Sequence, residues 1–353
     1  MAISENLLNN CLDKVISKKD IYSAVLRVEN GNGSFVWTGA RGEMTPDSKY
    51  FIASVTKLYV TAVFMSLVEE QKLNLNDKAL EYLPSHYMEN LHVLKDVDYS
   101  SKITIEHLLS NTSGLPDYFN RKDENNNTQF DLLIQGKDIS WDIEETISYI
   151  KKMKPKFAPG KKGKADYSDT NFLLLGKIIE NVTGKGIEEV FRGYIFEKIG
   201  LNNTYLFNDI DDKSPVGFYF KSKKFKSPKY MTSISAEGGI VSTADEVLFF
   251  TKEFFKGRFF PKEKINYLKK WNLILPPPGM FYFGIGIEKS PTPRILTPLG
   301  PKNEILGFWG QTGSFTWHNP DTDLYFSGTT NQADGSGHNA AMTAIMKIIK
   351  SML

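Results

Sequence analysis

Ser54 and Lys57 are the side chains of this sequence whose types and spacing most directly suggest chemistry. They stand three residues apart in the segment FIASVTK (residues 51–57), at the head of a long apolar run. Positions i and i+3 of a helix lie on the same face, so the hydroxyl and the amine are within reach of each other. A desolvated lysine that loses its proton can activate a serine nucleophile. Because Ser-x-x-Lys recurs by chance, the rest of the chain must supply the other parts of such a site.

A second candidate group lies in the segment YSDTN (residues 167–171), between a Pro-Gly loop and a predicted helix. A tyrosine phenol close to a lysine ammonium has a lowered pKa, so Tyr167 is a candidate base. Asp169 is a candidate site residue, but Asp169 or Thr170 is an equally good N-cap for the helix that follows.

A third candidate group is GQTGS (residues 310–314), which falls on a predicted strand. Glycine inside a strand often marks a close approach between the backbone and a ligand. A strand edge of this kind can bind a substrate and offer an N–H group to an oxyanion. A β-bulge or an ordinary sheet glycine is the alternative interpretation.

In this order, the three motifs resemble the signature of the penicillin-recognising serine enzymes. Five further blocks are similar to the same family: LNLND (73–77), YLP (82–84), TIEHLLSNTSGL (104–115), YSDTNFLLLG (167–176) and AEGGIVSTAD (236–245). Over about residues 20–350 the chain resembles the serine β-lactamase and penicillin-binding-protein superfamily. The resemblance is to its class C β-lactamase, D-alanyl-D-alanine carboxypeptidase and family VIII esterase side.

The resemblance implies a mechanism for the catalytic residues. Ser54 attacks a carbonyl and becomes acylated, while Lys57 and Tyr167 share the proton transfers. Tyr167 then helps to activate the water that removes the acyl group. The backbone N–H groups of Ser54 and Ser314 form the oxyanion hole.

The resemblance also assigns Asp169, Gln311, Thr312 and Gly313 to substrate binding, and two of these depart from the family pattern. Asp169 stands where many relatives have asparagine, and its charge would hold Lys57 protonated and shift the base role towards Tyr167. Gln311 stands where relatives have lysine or histidine, so the charged contact with a substrate carboxylate is lost. We therefore expect a poor β-lactamase that acts on an ester, an amide or a short peptide, including peptides of D-amino acids.

A second hypothesis from a different class is a catalytically weak penicillin-binding or acyl-binding sensor of the same fold. Burst kinetics separate the two, because a hydrolase releases product continuously whereas a sensor is acylated once and stalls. The sequence contains no Gly-x-Ser-x-Gly elbow, which disfavours a Ser-His-Asp hydrolase.

Hydrophobic periodicity predicts the elements that must position these residues. Strands are predicted at both ends of the chain and helices in the middle. The predicted helices span 4–17, 54–71, 104–109, 143–153, 171–182 and 340–352, and the predicted strands span 21–28, 34–38, 282–287, 305–309, 313–318 and 324–329.

These elements and the resemblance predict an α+β chain of the β-lactamase/transpeptidase-like class. Its antiparallel sheet is flanked by the N- and C-terminal helices, and a mainly helical subdomain is added to it. We expect one catalytic domain over 1–353, with an α/β part at about 1–62 and 225–353 and a helical part at about 63–224. The site is expected in the cleft between them, where ligands often bind. Aromatic residues in 218–230 and 280–283 either line that cleft or pack in the core.

Composition excludes several other classes of function. The 353 residues carry a net charge of +2, which gives no bias towards nucleic acid. Cys11 is the only cysteine, so neither an intrachain disulfide nor a thiolate metal cluster is expected. The histidines lack metal-ligand spacing, and no metal or organic cofactor is predicted. Lysine-rich stretches at 151–164 and 221–229 indicate a solvated face or, alternatively, a surface for an anionic partner.

The N-terminus has no basic and apolar signal pattern, and no stretch of about 20 apolar residues is present. We therefore expect no membrane span and a cytoplasmic location for the chain as given, or a secreted or periplasmic one if a signal segment has been removed. The expected partner is a small acyl or peptide substrate. The sequence does not indicate an oligomeric state.

Overall fold

A computed structural model describes residues 3–122, 126–275, 281–291 and 304–352. Met280, which begins the range 280–283 of candidate cleft aromatic residues, lies outside these ranges. The helices are α1 (Glu5–Ile16), α2 (Thr56–Glu69), α3 (Ser85–Met88), α4 (Ile105–Leu109), α5 (Gln129–Ile134), α6 (Ile143–Lys152), α7 (Asp169–Thr183), α8 (Ile187–Phe191), α9 (Glu197–Ile199), α10 (Pro228–Ser233), α11 (Ala244–Lys256), α12 (Ile265–Leu268) and α13 (Ser336–Lys350). The strands are β1 (Ala24–Asn30), β2 (Val36–Arg41), β3 (Tyr50–Phe51), β4 (Val93–Leu94), β5 (Val97–Asp98), β6 (Tyr205–Leu206), β7 (Phe218–Phe220), β8 (Lys223–Phe225), β9 (Ile240–Ser242), β10 (Asn272–Leu275), β11 (Phe281–Phe283), β12 (Glu288–Pro291), β13 (Glu304–Trp309), β14 (Ser314–Asn319) and β15 (Leu324–Thr329).

The main sheet is built from both ends of the chain. Its strand order is β10-β11-β12-β13-β14-β15-β1-β2, and each pair of neighbours is antiparallel. Strand β1 pairs with β15, so that Val25 lies opposite Thr329. This pairing joins the two chain ends, as predicted, and the α+β fold class is confirmed.

Helices cover both faces of this sheet. On one face α1 and α13 pack together over a core of apolar side chains that includes Leu8, Trp317 and Ile345. On the other face a larger core contains α2 and α11 and continues into the helical middle of the chain. Alternating strand residues supply the two cores, because successive side chains of a strand point to opposite faces.

Helix α2 is the central element of the larger core. Its residues from Thr56 to Leu67 are all buried, and its apolar side chains surround the axis instead of forming one stripe. A helix that is apolar all round is stable only inside a protein. The residues at its N-terminal end are therefore held by packing on every side.

The structure corrects two strand predictions. Residues 310–313 form a turn between β13 and β14, and only Ser314 of that motif belongs to a strand. The predicted strand 282–287 is interrupted after Phe283, and Gly286 takes a φ of +66°. In both places a glycine with positive φ leaves the extended region, which only glycine does readily.

In the described part of the chain, no helix is both long and apolar enough to cross a membrane.

Candidate active site

A sharp bend in the backbone presents Ser54. Strand β3 pairs with β9, and the N–H group of Ile52 donates to the carbonyl of Ile240 at 3.0 Å. Ala53 then takes a φ of +46°, and a 3₁₀ turn over Ala53–Val55 leads into α2. Non-glycine residues rarely occupy this region, and such strain is concentrated at functional sites. The bend places the Ser54 hydroxyl at the N-terminal end of the buried helix.

Lys57 is fully buried one turn beyond Ser54, and its ammonium group faces three oxygen atoms. Nζ donates to Ser54 Oγ at 3.0 Å and to the backbone carbonyl of Glu237 at 2.5 Å. Asp169 Oδ1 forms an ion pair with it at 2.7 Å. An ammonium group has three donors and no acceptor, so each of these oxygen atoms can accept one of its N–H groups.

Two aromatic rings enclose the same nitrogen. Lys57 Nζ lies 5.3 Å from the ring centre of Tyr167 and 5.3 Å from that of Phe172. Both rings are within the range of a cation–π contact, which strengthens when water is excluded. The structure thus brings Ser54, Lys57, Tyr167 and Asp169 together, as the sequence predicted.

The pKa of Tyr167 is shifted in the direction opposite to our expectation. Burial raises it well above the usual value, and the carboxyl groups of Asp169 and Glu288 raise it further. A hydrogen bond with Ser54 lowers it only in part. Since desolvation and nearby carboxylates both disfavour a phenolate, Tyr167 is a neutral phenol at pH 7.

Asp169 lies beside Lys57 and is not the N-cap of α7. The N-cap position is taken by Ser168, and Asp169 is the first residue of the helix. Thr170, the other candidate cap, instead donates its hydroxyl to the carbonyl of Pro116 at 2.6 Å. The helix dipole favours an acidic residue in the first turn of a helix, so this position suits Asp169.

The turn over residues 310–313 is tied to the bend that carries the nucleophile. Thr312 donates its hydroxyl to the carbonyl of Phe51 at 2.7 Å, and Ser314 donates to the carbonyl of Ile52 at 2.6 Å. Gly313 takes a φ of +81°, which closes the turn. The side chains of Thr312 and Ser314 therefore fix the distance between this turn and Ser54.

Two further contacts support this turn. The N–H group of Gly310 donates to the carbonyl of Ser314 at 2.8 Å. His338 of α13 lies with Nε2 2.8 Å from the carbonyl of Gly310, and its ring is 4.6 Å from that of Trp309. Burial lowers the pKa of His338, so the ring is neutral at pH 7.

Three acidic residues near Lys57 were not predicted as site residues. Burial, reinforced by Asp169, raises the pKa values of Asp117 and Glu237 to about 7. Burial also raises the pKa of Glu288 well above its usual value. The block at 236–245 was a signal for Glu237, whereas the sequence held no comparable signal for Asp117 or Glu288.

A pocket opens beside Ser54 with a volume of about 520 Å³, including its open mouth. Gln311 and Thr312 line it, as predicted, whereas Gly313 lies behind it in the turn. Most of the other lining side chains are apolar or aromatic. The remaining lining residues are Ala53, Tyr118, Phe119, Phe130, Leu133, Asp169, Phe218, Tyr230, Met231, Ile234, Glu237, Gly238 and Ala333.

Within the described ranges, no group of three or more His, Cys, Asp or Glu side chains could hold a metal ion.

Known proteins share this fold and part of the sequence. A putative D-alanyl-D-alanine carboxypeptidase of Salmonella paratyphi B is 29% identical over 167 residues, which are 47% of this chain and 35% of that protein. The matched stretch thus spans about a third of the curated relatives' length. A D-stereospecific amidohydrolase from Streptomyces sp. superposes with a TM-score of 0.79 at 21% identity, covering 99% of this chain and 98% of that one. EstCE1, a hydrolase with promiscuous acyltransferase activity, superposes with a TM-score of 0.78 at 21% identity, covering 99% and 100%.

At these identities the two superpositions establish the fold alone. The family itself is shown by the sequence, because residues 8–348 match the Beta-lactamase family model. This match covers nearly the whole chain, including the three motifs around Ser54, Asp169 and Thr312. The chain belongs to the Beta-lactamase family.

Proposed function

We propose that this protein is a serine hydrolase that forms an acyl-Ser54 intermediate on an ester, an amide or a short peptide. The observation that carries the proposal is the contact of 3.0 Å between Ser54 Oγ and Nζ of the fully buried Lys57, beside an open pocket. A buried lysine held against a serine hydroxyl has a clear role in activating it and a poor role in stabilising the fold, because burying a charge is costly.

The proton transfers follow from the states of Tyr167 and Lys57. Tyr167 is a neutral phenol bonded to Ser54, so it acts as a relay. The serine proton moves to the phenolic oxygen while the phenolic proton moves to the leaving group. The bond from Ser54 Oγ to the carbonyl carbon forms and the bond to the leaving group breaks. The Lys57 ammonium stabilises the negative charge that develops on the serine oxygen.

Deacylation repeats these transfers with water in place of the leaving group. The water oxygen bonds to the acyl carbon and the bond from that carbon to Ser54 Oγ breaks, which releases the acid. The proton from water passes through Tyr167 to Ser54 Oγ, so Ser54 recovers its hydroxyl hydrogen. We assign the oxyanion hole to the backbone N–H groups of Ser54 and Ser314. The bond from Ser314 Oγ to the carbonyl of Ile52 supports this assignment, since it fixes the two segments against each other.

The substrate preference follows from Gln311 and Asp169. Gln311 lines the pocket where a substrate carboxylate would need a cation, and it offers only a neutral amide. We therefore propose slow turnover of β-lactams and faster turnover of substrates without that carboxylate. The neighbours named as a D-stereospecific amidohydrolase and as a hydrolase with promiscuous acyltransferase activity are compatible with an amide or an ester as substrate.

Intact-mass spectrometry tests the proposal directly. Wild type and Ser54→Ala are each incubated with a fluorophosphonate, a short-chain activated ester and a penicillin. We expect Ser54-dependent adducts with the first two probes and little or none with penicillin. The acyl adduct formed from the ester should disappear with time as the enzyme deacylates. A sensor that stalls after acylation would keep its adduct. Turnover retained in Ser54→Ala would overturn the mechanism, and efficient cephalosporin hydrolysis would overturn the substrate preference.

A further inference from the structure

A lysine-rich hairpin stands at the rim of the pocket. Strands β7 and β8 pair so that Phe220 lies opposite Lys223, which leaves Lys221 and Ser222 as the turn between them. We call residues 218–229 the lysine hairpin. Its lysines are all exposed, and they are Lys221, Lys223, Lys224, Lys226 and Lys229. From the sequence, this stretch was either a solvated face or a surface for an anionic partner.

The base of the lysine hairpin forms part of the pocket beside Ser54. Phe218, which begins the hairpin, and Tyr230, which follows it, both line this pocket. Ala333 is another lining residue, and its N–H group donates to the carbonyl of Tyr219 at 2.7 Å. A surface that binds the hairpin would therefore lie close to the mouth of the pocket.

The rest of the protein neutralises little of the charge on the hairpin. Lys224 forms an ion pair with Glu43 at 2.5 Å. Among the residues that the structure describes, no carboxylate pairs with the other four ammonium groups. Asp138 does contact the hairpin, but it accepts from the backbone N–H group of Lys229 at 3.1 Å. These exposed cations are therefore available to an external anion.

Aromatic rings support the lysine side chains from below. Nζ of Lys223 lies 4.8 Å from the ring centre of Phe225. Nζ of Lys221 lies 5.6 Å from that of Phe220. A lysine that packs its stem along an apolar surface keeps its charged end in water. The hairpin thus presents its charges outward from an aromatic base.

A pair of tyrosines adjoins these lysines. Tyr219 of β7 contacts Tyr22 with ring centres 4.8 Å apart, and Tyr22 is 43% exposed. Tyrosine has an apolar body and a polar end, which suits the boundary between water and lipid. The hairpin contains no arginine, whose planar group suits the specific recognition of single phosphates and of nucleic acid. Lysine point charges beside amphipathic rings favour a diffuse anionic surface instead.

The turn of the hairpin departs from the residues that such turns prefer. Lys221 has a φ of +53°, in the left-handed region. Two-residue hairpin turns normally place glycine or asparagine in this region, because a larger side chain is strained there. Such strain is concentrated at functional positions. Here it places a charge at the tip of the hairpin.

We propose that the lysine hairpin docks the protein on an anionic phospholipid membrane. Clusters of about four to eight basic residues are typical of such docking, and each lysine near the surface adds to the attraction. Docking through the hairpin brings the mouth of the pocket to the membrane surface. The proposal concerns where the protein binds, and it does not depend on the acyl-Ser54 function.

Co-sedimentation of the full chain with vesicles tests the proposal. One set of vesicles is phosphatidylcholine alone, and the other is phosphatidylcholine mixed with phosphatidylglycerol. We expect binding to the mixed vesicles and little binding to the neutral ones. Raising the salt concentration from about 0.05 M to about 0.5 M should release the protein, because salt screens exposed charges.

Two variants with the same net charge locate the binding on the hairpin. The hairpin variant replaces four lysines by glutamine, namely Lys221, Lys223, Lys226 and Lys229. The control variant does the same in the other lysine-rich stretch, at the exposed Lys152, Lys161, Lys162 and Lys164. We expect the partition coefficient on mixed vesicles to fall at least about tenfold in the hairpin variant and less than about threefold in the control, since only lysines near the surface contribute.

Lys221→Gly separates docking from folding. Glycine adopts a positive φ without strain, so the midpoint of urea unfolding should rise. The partition coefficient should fall by roughly fivefold, the usual effect of one lysine near an anionic surface. This variant keeps the test available if the hairpin variant fails to fold.

Several results would overturn the proposal. These are equal binding to neutral and mixed vesicles, no binding to either, and equal losses in the hairpin and control variants. Inorganic polyphosphate serves as a soluble polyanion in a parallel binding assay. Hairpin-dependent binding of polyphosphate without binding to vesicles would assign the hairpin to a soluble polyanion and likewise overturn the membrane proposal.

Discussion

At the scale of single residues, the environment of Lys57 bears on how the proton transfers are divided between Lys57 and Tyr167. Its ammonium contacts Ser54, the carbonyl of Glu237 and Asp169 at hydrogen-bonding distances. An asparagine in place of Asp169 would offer a neutral acceptor, whereas the carboxylate adds a full charge. The aspartate therefore raises the pKa of Tyr167 and disfavours its phenolate.

Asp169→Asn should consequently shift the pH dependence of catalysis. Removing the charge lowers the pH at which Tyr167 loses its proton, because the Asp169 carboxyl group raises the pKa of Tyr167. We expect the high-pH limb of kcat/KM to move to lower pH by roughly one unit, a typical effect of a neighbouring charge. The profile is measured with an activated ester from pH 7 to the highest pH at which both proteins stay folded.

Asp166→Asn is a matched control for this shift. Asp166 is three residues away and pairs with Arg121 at 3.0 Å and Lys156 at 2.5 Å, outside the pocket. It should leave the limb in place. If the high-pH limb of kcat/KM does not shift in Asp169→Asn, the charge of Asp169 has no effect on the ionisation that limits activity at high pH.

Tyr167→Phe tests the proposed relay. The substitution keeps the ring, which meets Phe283 edge to face at 5.9 Å, and removes only the hydroxyl. We expect kcat to fall by roughly 10²- to 10⁴-fold, the usual contribution of a positioned acid or base. The midpoint of urea unfolding should change little. Tyr99→Phe, in a loop away from the pocket, serves as the control, and a Tyr167→Phe enzyme with full kcat would exclude the relay.

The sequence predicted which residues lie at the candidate site better than it predicted their pKa values. Ser54 and Lys57 could be paired from helical spacing, and Tyr167 and Asp169 from a resemblance. The raised pKa of Tyr167 depends on burial and on Glu288, which is 121 positions further along the chain. Such long-range contacts leave no periodic pattern in the sequence, so the expected sign of the shift was wrong.

At the scale of elements, the turn between β13 and β14 has the clearest structural task. Thr312 and Ser314 bind the carbonyl groups just before Ser54, so the turn and the nucleophile move as one unit. A strand was predicted here because the flanking residues have strand character. The decisive property is the φ of +81° at Gly313, which a hydrophobicity pattern does not report.

Gly313→Ala should therefore impair both stability and activity. The new Cβ would collide with Thr330 Oγ1 and lie 2.9 Å from the backbone nitrogen of Gln332. Gly163→Ala is a matched control, since Gly163 has a φ of +70° but no described atom within 4 Å of the added Cβ. We expect Gly313→Ala to lose about 2 kcal/mol more of the free energy of unfolding than Gly163→Ala, because overpacking adds to the shared backbone strain.

Urea unfolding and kcat/KM of both variants check this expectation. Activity should fall in Gly313→Ala and persist in Gly163→Ala. Equal losses of stability in the two variants would mean that the turn accommodates a side chain and that the collision is relieved at no cost.

At the scale of the whole molecule, the site is assembled from segments that are far apart in sequence. The bend before α2, the start of α7, the loop before β9 and the turn before β14 each contribute one part. The pairing of the two chain ends could be predicted, since strand patterns cluster at the termini. The depth at which acidic residues are buried between these segments could not, because it depends on how all of them pack.

That burial makes folding stability depend on pH through Glu237. Its pKa is about 7 in the folded protein and near its ordinary value of 4.5 when unfolded. Between these values the folded state keeps a proton that the unfolded state has lost. The free energy of unfolding therefore falls as the pH rises from 4.5 to 7, and this contribution stays lost above pH 7.

Glu237→Gln should remove this contribution while preserving the contacts. A glutamine can accept from the Ser235 N–H group, which lies 3.1 Å from Glu237 Oε2, and can donate to Tyr118. Relative to wild type, we expect the variant to gain roughly 3 kcal/mol in the free energy of unfolding between pH 4.5 and pH 8, since each pKa unit is worth about 1.4 kcal/mol. Urea unfolding at several pH values measures the difference, with the exposed Glu145→Gln as the control. A difference that is constant with pH would mean that Glu237 ionises in the folded protein as readily as in the unfolded chain.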